Sequence, residues 1–157
     1  AFINGSLVSL GSDQRQEAFE NSMRDAGLEI YPELMGHGYY IPETAQYYVS
    51  NFIAAGATAI LCASDTIAKG VISECQLHGF NVPNDISVVG FDDVKFAAAL
   101  TPPLTTIRQE RNDLGRCAYI ILNSLIHHIP ISRTQLRPML IERESTARVS
   151  TAHAAEE

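Results

Sequence analysis

Ile86-Ser-Val-Val-Gly-Phe-Asp-Asp-Val94 is the stretch that decides the fold, together with Leu100-Thr-Pro-Pro-Leu-Thr-Thr-Ile-Arg-Gln109. The apolar run at the start of the first stretch is typical of a strand buried on both faces, as in a parallel sheet. Gly90 is expected to end this strand, because glycine weakens a strand interior. The first stretch therefore predicts a central strand followed by a polar loop.

The carboxylates of Asp92 and Asp93 come directly after the predicted strand. In open α/β sheets, ligands bind at the carboxyl ends of the strands. Pro102-Pro103 blocks helix formation and forces an extended path. A second β-prone run follows from Leu104 to Ile107. The two stretches thus predict strand, polar loop, rigid link and strand.

Composition limits the possible partners. A chain of 157 residues can bury one sizeable core. Its net charge of −7 and scattered arginines do not favour binding to nucleic acid or an anionic membrane. No apolar run approaches the ~20 residues of a membrane span. The three cysteines lack metal-ligand spacing and lie in apolar segments, so reduced core thiols in a cytoplasmic protein are expected.

Strands and helices alternate along the chain. Besides the two central strands, we expect strands at Phe2-Ile3, Glu29–Leu34 (weakly), Ala57–Cys62 and Leu136–Ile141, and helices over residues 13–26, 42–56, 64–79 and 110–127. Residues 35–41 are expected to form a loop, and the polar tail from Glu142 is expected to be disordered. The alternation predicts an α/β fold, with a mostly parallel sheet and helices on both faces. Because the chain starts without Met, directly at a strand, we expect it to be part of a longer protein.

Enzyme motifs are missing from the sequence. There is no Gly-rich phosphate loop, serine elbow, pair of histidine ligands or zinc spacing. We therefore predict no catalytic residue, no metal and no cofactor. Asp92 and Asp93 have two interpretations, either a solvated loop pair or a carboxylate pair for acid–base work or Mg²⁺.

Three further positions are candidates for ligand binding. Arg15 lies in the first turn of a helix, where it is either a surface arginine or a donor fork for ligand hydroxyls or a carboxylate. Tyr39 and Tyr40 are loop aromatics, one of which could form a flat wall against a sugar ring. Ser64-Asp65 is primarily a helix cap, with either residue as the capping one, but a cap at a strand end also faces the cleft.

These positions coincide with landmarks of the lactose-repressor/galactose-repressor (LacI/GalR) family of transcription regulators, which the chain resembles. The strongest matching blocks are residues 83–93, residues 100–109 and Leu114-Gly115, and the supporting ones are Arg15 with Phe19 and residues 63–70. Several such blocks, in order and properly spaced, make the resemblance specific.

The resemblance implies a periplasmic-binding-protein-like (type I) lobe. In the family, a helix-turn-helix headpiece precedes a two-lobed core that holds the effector between its lobes. Residues 1–104 would then form the C-terminal lobe, 105–134 a crossover strand and helix of the other lobe, 135–145 a return strand, and 146–157 a flexible tail. The apolar face of that helix would lack its usual cover.

The resemblance also implies a binding site. Arg15 and Asp92 match the family's effector-contacting arginine and aspartate, and Tyr40 resembles a pocket aromatic. Ser64 departs from the family pattern, which usually has Asn there, and this leaves the identity of the effector open. The implied effector is a sugar or nucleoside-like molecule.

The function implied is effector sensing and dimerisation in a cytoplasmic repressor. Operator DNA would be bound only through a headpiece that this chain lacks, and no membrane is involved. Dimerisation would use the helix after Ser64 and the loop after Asp93, where the apolar run Phe96–Leu100 is expected to be exposed beside Lys69. The alternatives are a solute-binding protein of a sugar transporter and a small α/β enzyme that uses Asp92 or Asp93.

Overall fold

The protein is described by a computed structural model over residues 1–149. The strands are β1 (Phe2–Asn4), β2 (Met35–His37), β3 (Ala59–Cys62), β4 (Ser87–Asp92), β5 (Thr105–Arg108) and β6 (Met139–Ile141). The α-helices are α1 (Leu10–Asp25), α2 (Val49–Ala54), α3 (Asp65–Leu77) and α4 (Arg111–Ile126), and short 3₁₀ helices lie at Pro32–Leu34, Pro42–Tyr47 and Ala97–Ala99.

The six strands form one sheet in the order β2-β1-β3-β4-β5-β6. The first five strands are mutually parallel, and β6 pairs antiparallel with β5. The predicted α/β architecture with a mostly parallel sheet is confirmed. Because parallel strands share one direction, the carboxyl ends of β1 to β5 all lie at the same edge of the sheet.

Helices cover both faces of the sheet, as β1 illustrates. Successive side chains of a strand point to opposite faces. Ile3 is fully buried in the main core with residues of α2 and α3. Its neighbour Phe2 stacks instead on Phe19 of α1, with ring centroids 4.9 Å apart. The two sides of the central strands therefore each bury apolar surface.

The prediction that Gly90 ends the central strand is wrong. Strand β4 continues through Gly90 to Asp92, and Gly90 pairs with Thr106 of β5. A Cβ atom at Gly90 would lie 2.3 Å from Oδ1 of Asp65. Glycine here permits a close approach of helix α3 to the strand, and it interrupts only the apolar pattern.

The assignments for residues 29–41 are also wrong. The expected weak strand at 29–34 contains instead a 3₁₀ turn, Pro32–Leu34, because Pro32 supplies no N–H and favours such a turn. The expected loop begins with a strand, β2, which pairs with β1 in the register Ile3↔Gly36. This pairing joins segments more than thirty residues apart, so no local pattern marks it.

The predicted helices are confirmed for α1, α3 and α4. The helix predicted over residues 42–56 needs correction. There the chain makes a 3₁₀ helix, Pro42–Tyr47, before the short α2. Ser64 is the N-cap of α3, and its side chain accepts a hydrogen bond from the Ile67 N–H. The predicted cap is therefore confirmed.

Hydrogen bonds hold part of the expected disordered tail in place. The Ser145 hydroxyl is buried, donates to the Val88 carbonyl at 2.6 Å and accepts from the Thr105 N–H at 2.8 Å. The Ala147 N–H donates to the Ser87 hydroxyl at 3.1 Å. Disorder directly from Glu142 is thus wrong, because this segment is hydrogen-bonded to the first residues of both β4 and β5. Residues 150–157 lie outside the described residues, so the flexible tail remains a prediction there.

Helix α4 is the least covered element. None of its residues is buried, and its Leu114 and Leu125 side chains are both 55% exposed. Strand β5, which belongs to the expected crossover segment, pairs with β4 in the common sheet. The division of residues 105–134 from residues 1–104 as part of another lobe stays a prediction.

Candidate ligand-binding site

Five strand ends bring polar and aromatic residues to one edge of the sheet. These residues follow or close β1 to β5 and are Asn4 and Gly5, Gly38 and Tyr40, Ser64, Asp92, and Gln109. Helix α1 begins beyond the loop after β1 and adds Ser12 and Arg15. We call this side of the sheet the strand-end edge and these residues the strand-end cluster. An open α/β sheet binds ligands at this edge.

Tyr40 is packed across the end of β1. A Cβ atom at Gly5 would lie 2.0 Å from Cζ of Tyr40, so only glycine admits the ring there. The Tyr40 hydroxyl lies 2.6 Å from the Ser12 hydroxyl and accepts from Arg15 Nη1 at 3.3 Å. Its neighbour Tyr39 is 79% exposed. Of the two tyrosines, Tyr40 is therefore the one that joins the strand-end cluster.

Arg15 is held on an aromatic face. Its Cζ atom lies 4.3 Å from the ring centroid of Phe91 on β4. A guanidinium over an aromatic ring is attracted by the negative face of the ring. With Tyr40 at one nitrogen and Phe91 beneath, the Arg15 guanidinium is fixed in place. Its other N–H groups make no hydrogen bond within residues 1–149.

Asp92 lies at the end of β4 in a left-handed conformation, with φ of 114°. Its Oδ1 accepts a hydrogen bond from Gln109 Nε2 at 2.6 Å. Across residues 1–149, no cationic side chain lies within ion-pair distance of Asp92. The carboxylate is thus oriented by a neutral partner and has no ion-pair partner among these residues. Arg15 and Asp92 make no direct ion pair but flank the same β4 end.

Asp93 has a different role from its neighbour. Its carboxylate is 8% exposed and forms ion pairs of 2.6 Å with both Arg108 and Arg143. Burial alone would raise the pKa of Asp93, but hydrogen bonds and charge from Arg143 and Arg108 outweigh it and hold the pKa below its ordinary value. Asp93 therefore links β5 and the C-terminal segment to the loop after β4. The interpretation of Asp92 and Asp93 as a carboxylate pair for acid–base work or Mg²⁺ finds no support, because the two carboxylates have different partners.

Asp65 is a third carboxylate close to these two, and it is completely buried. Its Oδ2 accepts from the Val94 N–H at 2.8 Å, and its Oδ1 accepts from the Thr106 hydroxyl. Burial raises the pKa of Asp65, and the charges of Asp92 and Asp93 add to the rise, while its two hydrogen bonds oppose it.

Ser64 is also buried, and its hydroxyl is used by the Ile67 N–H at 3.3 Å. An effector contact by this side chain stays a prediction, as do the ligand roles of Arg15, Tyr40 and Asp92. In the described part of the chain, no group of three or more His, Cys, Asp or Glu side chains is arranged to hold a metal ion. Within the same residues, no helix has the length and apolar character to cross a membrane.

A cavity of about 420 Å³ opens beside the site. It lies between α4 and residues 134–138, and it shares Phe91 and Gln109 with the strand-end edge. The lining is mainly apolar, with Leu114 and Ile121 contributed by α4. The strand-end edge thus borders this cavity through Phe91 and Gln109.

The sequence interpretation missed Ser12, Phe91 and Gln109. Phe91 was assigned to the loop after the predicted strand, whereas it lies inside β4, where side chains alternate between the two faces of the sheet. Gln109 was quoted within a matching block but was not given a role. Ser12 directly precedes the helix predicted over residues 13–26, where it is expected only to cap that helix, yet Ser9 is the N-cap and the Ser12 hydroxyl bonds the Tyr40 hydroxyl.

Comparison with known proteins assigns the chain to a family. Residues 2–146 match the periplasmic binding protein-like domain. The HTH-type transcriptional repressor PurR of Actinobacillus pleuropneumoniae serotype 3 (strain JL03) is 38% identical over 142 residues, which cover 89% of this chain and 41% of the relative. PurR of Pasteurella multocida (strain Pm70) is 33% identical over 147 residues, covering 91% of this chain and 44% of the relative. The chain thus spans about two fifths of the length of these curated relatives.

Solved structures agree with this assignment. The lac repressor dimer bound to operator and the anti-inducer ONPF superposes with a TM-score of 0.83 and 26% identity, covering 93% of this chain and 51% of that one. The transcription regulator CcpA of Lactococcus lactis gives a TM-score of 0.85 and 26% identity, covering 94% and 55%. The chain therefore belongs to the periplasmic binding protein-like domain family, as a segment of the effector-binding core of a LacI/GalR regulator.

Proposed function

We propose that this chain is the effector-sensing part of a bacterial DNA-binding repressor, and that a small molecule bound at the strand-end edge controls it. The main support is that Arg15 of α1, Tyr40 after β2 and Asp92 at the end of β4 lie at one edge of the sheet. Effector binding would shift the equilibrium between two arrangements of the lobes and so change operator affinity. The curated relatives are repressors, which favours this proposal over a transporter protein or an enzyme.

The chemistry of the edge suits a ligand rich in hydroxyl groups. Arg15 offers donors, and Asp92 offers a charged acceptor without a cationic partner within the described residues. Sugar and nucleoside hydroxyls both donate and accept hydrogen bonds, so a donor fork facing an acceptor recognises them. Tyr40 and Phe91 supply flat apolar surface. A structural neighbour with a TM-score of 0.84 and 25% identity is the CelR–cellobiose complex.

The first prediction is that Arg15→Ala and Asp92→Asn each weaken effector binding. Each change leaves ligand hydrogen bonds unmet and should cost about 1.5–3 kcal/mol, or roughly tenfold or more in affinity. The measurement is calorimetry of the full-length regulator with a panel of sugars and nucleosides, followed by both variants with the ligand that binds.

Two matched variants on α4 serve as controls. Arg116→Ala and Asp113→Asn change an exposed ion pair of 3.2 Å in which neither residue belongs to the strand-end cluster. Both should retain full affinity. Unchanged affinity in Arg15→Ala and Asp92→Asn would remove these residues from the site.

The second prediction concerns DNA. The 157-residue chain should show no specific operator binding by itself, because it carries a net charge of −7 and no basic patch to contact phosphates. A gel shift with operator-containing and scrambled duplexes at two salt concentrations makes the comparison. Specific, salt-sensitive binding by the chain alone would contradict the prediction.

The proposed dimer surface needs one correction. The apolar run Phe96–Leu100 is not exposed throughout, because a 3₁₀ turn directs Ala97 into the core and Leu100 packs against it. The exposed part of the surface includes Phe96, which is 37% exposed, and Leu77 of α3, which is 76% exposed. The Lys69 Nζ atom lies 5.6 Å from the centroid of the Phe96 ring. We propose that this corrected surface forms an isologous two-fold interface, which suits a palindromic operator.

The third prediction follows from that surface. Leu77→Asp should weaken dimerisation by roughly tenfold or more, because it places a charge in an apolar contact. Leu28→Asp is the control, since Leu28 is 55% exposed beyond the end of α1 on the opposite face. Sedimentation equilibrium measures both. A monomeric parent chain at high concentration, or equal dimerisation of both variants, would count against the interface.

A further inference from the structure

A single buried carboxylate connects three elements beneath the strand-end edge. Asp65 lies in the first turn of α3, and its two oxygens accept from the Val94 N–H at 2.8 Å and from the Thr106 hydroxyl of β5. Its Oδ1 also lies against β4, where a Cβ atom at Gly90 would be 2.3 Å away. The residue is fully buried, so its hydrogen bonds are formed away from water.

The loop that Asp65 contacts is held in an unusual conformation. Asp92 and Asp93 have φ of 114° and 48°, in the left-handed region that side chains other than glycine rarely adopt. Such a conformation persists only where surrounding contacts fix it. The next residue, Val94, gives its N–H to Asp65.

Two sets of contacts hold this loop from opposite sides. The Asp93 carboxylate pairs with Arg108 and Arg143, each at 2.6 Å, and the Asp93 carbonyl accepts from Arg111 Nη2 at 3.0 Å. On the other side, Asp65 binds the main chain directly. The arginines hold the side chain and the carbonyl of Asp93. Asp65 instead holds the Val94 N–H, which immediately follows the two left-handed residues.

We propose that Asp65 is a positioning residue that fixes the main chain at Val94 and thereby aims the Asp92 carboxylate toward the cleft. Asp65 itself is buried beneath the loop and touches no ligand. The inference rests on the proposed function only in taking Asp92 as an effector contact. Helix α3 is thereby joined to the ligand edge, so a movement of this helix would reorient Asp92.

The test uses NMR on the whole 157-residue chain without ligand. Two signals are followed: the exchange protection of the Val94 amide, and the side-chain amide of Gln109, which donates to Asp92 at 2.6 Å but does not touch Asp65. The Ala63 amide, which donates to the Ile3 carbonyl at 2.8 Å, reports overall stability. The Gln109 signal is the decisive one, because loss of a merely structural carboxylate in a folded chain would leave it unmoved.

In the unaltered chain, the Val94 amide should be protected although it lies in a loop. Asp65→Ala should lower Val94 protection at least tenfold more than Ala63 protection, and should shift the Gln109 side-chain signal toward that of a free amide. Asp65→Asn should restore both signals, because its oxygen can accept from Val94 while its NH₂ donates to the Thr106 oxygen. Thr106→Val should leave Val94 protected.

Either of two results would overturn the proposal. One is a Val94 amide that exchanges freely in the unaltered chain, which needs no variant to fold. The other concerns the variants, provided that they fold. It is an Asp65→Ala chain in which the Val94 protection and the Gln109 signal stay unchanged, or an Asp65→Asn chain in which they fail to recover. Because neither readout involves a ligand, failure of the effector proposal would leave this test intact.

Discussion

Replacing Gly70 with alanine is expected to destabilise the protein by about 3 kcal/mol, although the same change in an exposed helix stabilises by about 1 kcal/mol. Gly70 lies inside α3, where a Cβ atom would be 2.0 Å from the Pro42 carbonyl oxygen. The obstacle is main chain of the packed 3₁₀ helix that begins at Pro42, so it cannot rotate aside as a side chain would. Urea unfolding of both chains, followed by circular dichroism, measures the difference.

Gly115→Ala is the matched control. Gly115 lies in α4, and no atom lies within 4 Å of the Cβ that alanine would add. This change should stabilise by about 0.5–1 kcal/mol through helix propensity alone. If Gly70→Ala stabilised by the same amount, the close packing of α3 on the Pro42 carbonyl would be wrong.

Asp93→Asn is expected to lower the free energy of unfolding by about 3 kcal/mol. The change removes the negative charge that two arginines share and leaves Arg143, whose side chain is 16% exposed, without its carboxylate. Asp113→Asn is the control, because the Asp113–Arg116 pair is solvent exposed and worth at most about 1 kcal/mol. Equal, small effects of the two changes would show that the Asp93 pairs contribute no more than a surface ion pair.

The same variant should alter the response to acid. Because the pKa of Asp93 is lower in the folded chain than its ordinary value of 3.8, the ionised group stabilises the fold above that value. This contribution is lost as the pH falls below 3.8 and through the folded pKa. Unfolding free energies of the parent and Asp93→Asn should therefore converge toward low pH. A constant difference down to that range would contradict the lowered pKa.

Local sequence signals determined the elements that depend on local chemistry. The alternation of apolar segments predicted the α/β fold, and Ser64-Asp65 was predicted to cap α3, of which Ser64 is the cap. The order of elements placed Arg15 after β1 and Asp92 at the end of the central strand, although α1 begins at Leu10, so that Arg15 lies in its second turn and not in the predicted first turn. These predictions held because helical periodicity, capping and strand direction are properties of short segments.

Tertiary structure decided the roles of the carboxylates. By sequence, Asp92 and Asp93 are equivalent neighbours, but one is oriented by Gln109, 17 residues away, and the other is paired with Arg143, 50 residues away. The sequence pattern placed Asp65 only at the start of a helix, yet it is completely buried against the loop after β4. No local pattern records these partners, because each depends on which strands are neighbours in the sheet.

Strand β2 and Gly90 show the same division. The segment at 35–37 is too short and too rich in glycine to be recognised as a strand, and only its pairing with β1 makes it one. A glycine at position 90 is expected to end a strand, but here the absence of its side chain makes room for Asp65. The sequence by itself thus determined the α/β alternation, the capped helix and the edge that carries the site. Tertiary packing decided which groups at that edge are free to bind, because hydrogen bonds and ion pairs between distant segments form only once the sheet has set their spacing.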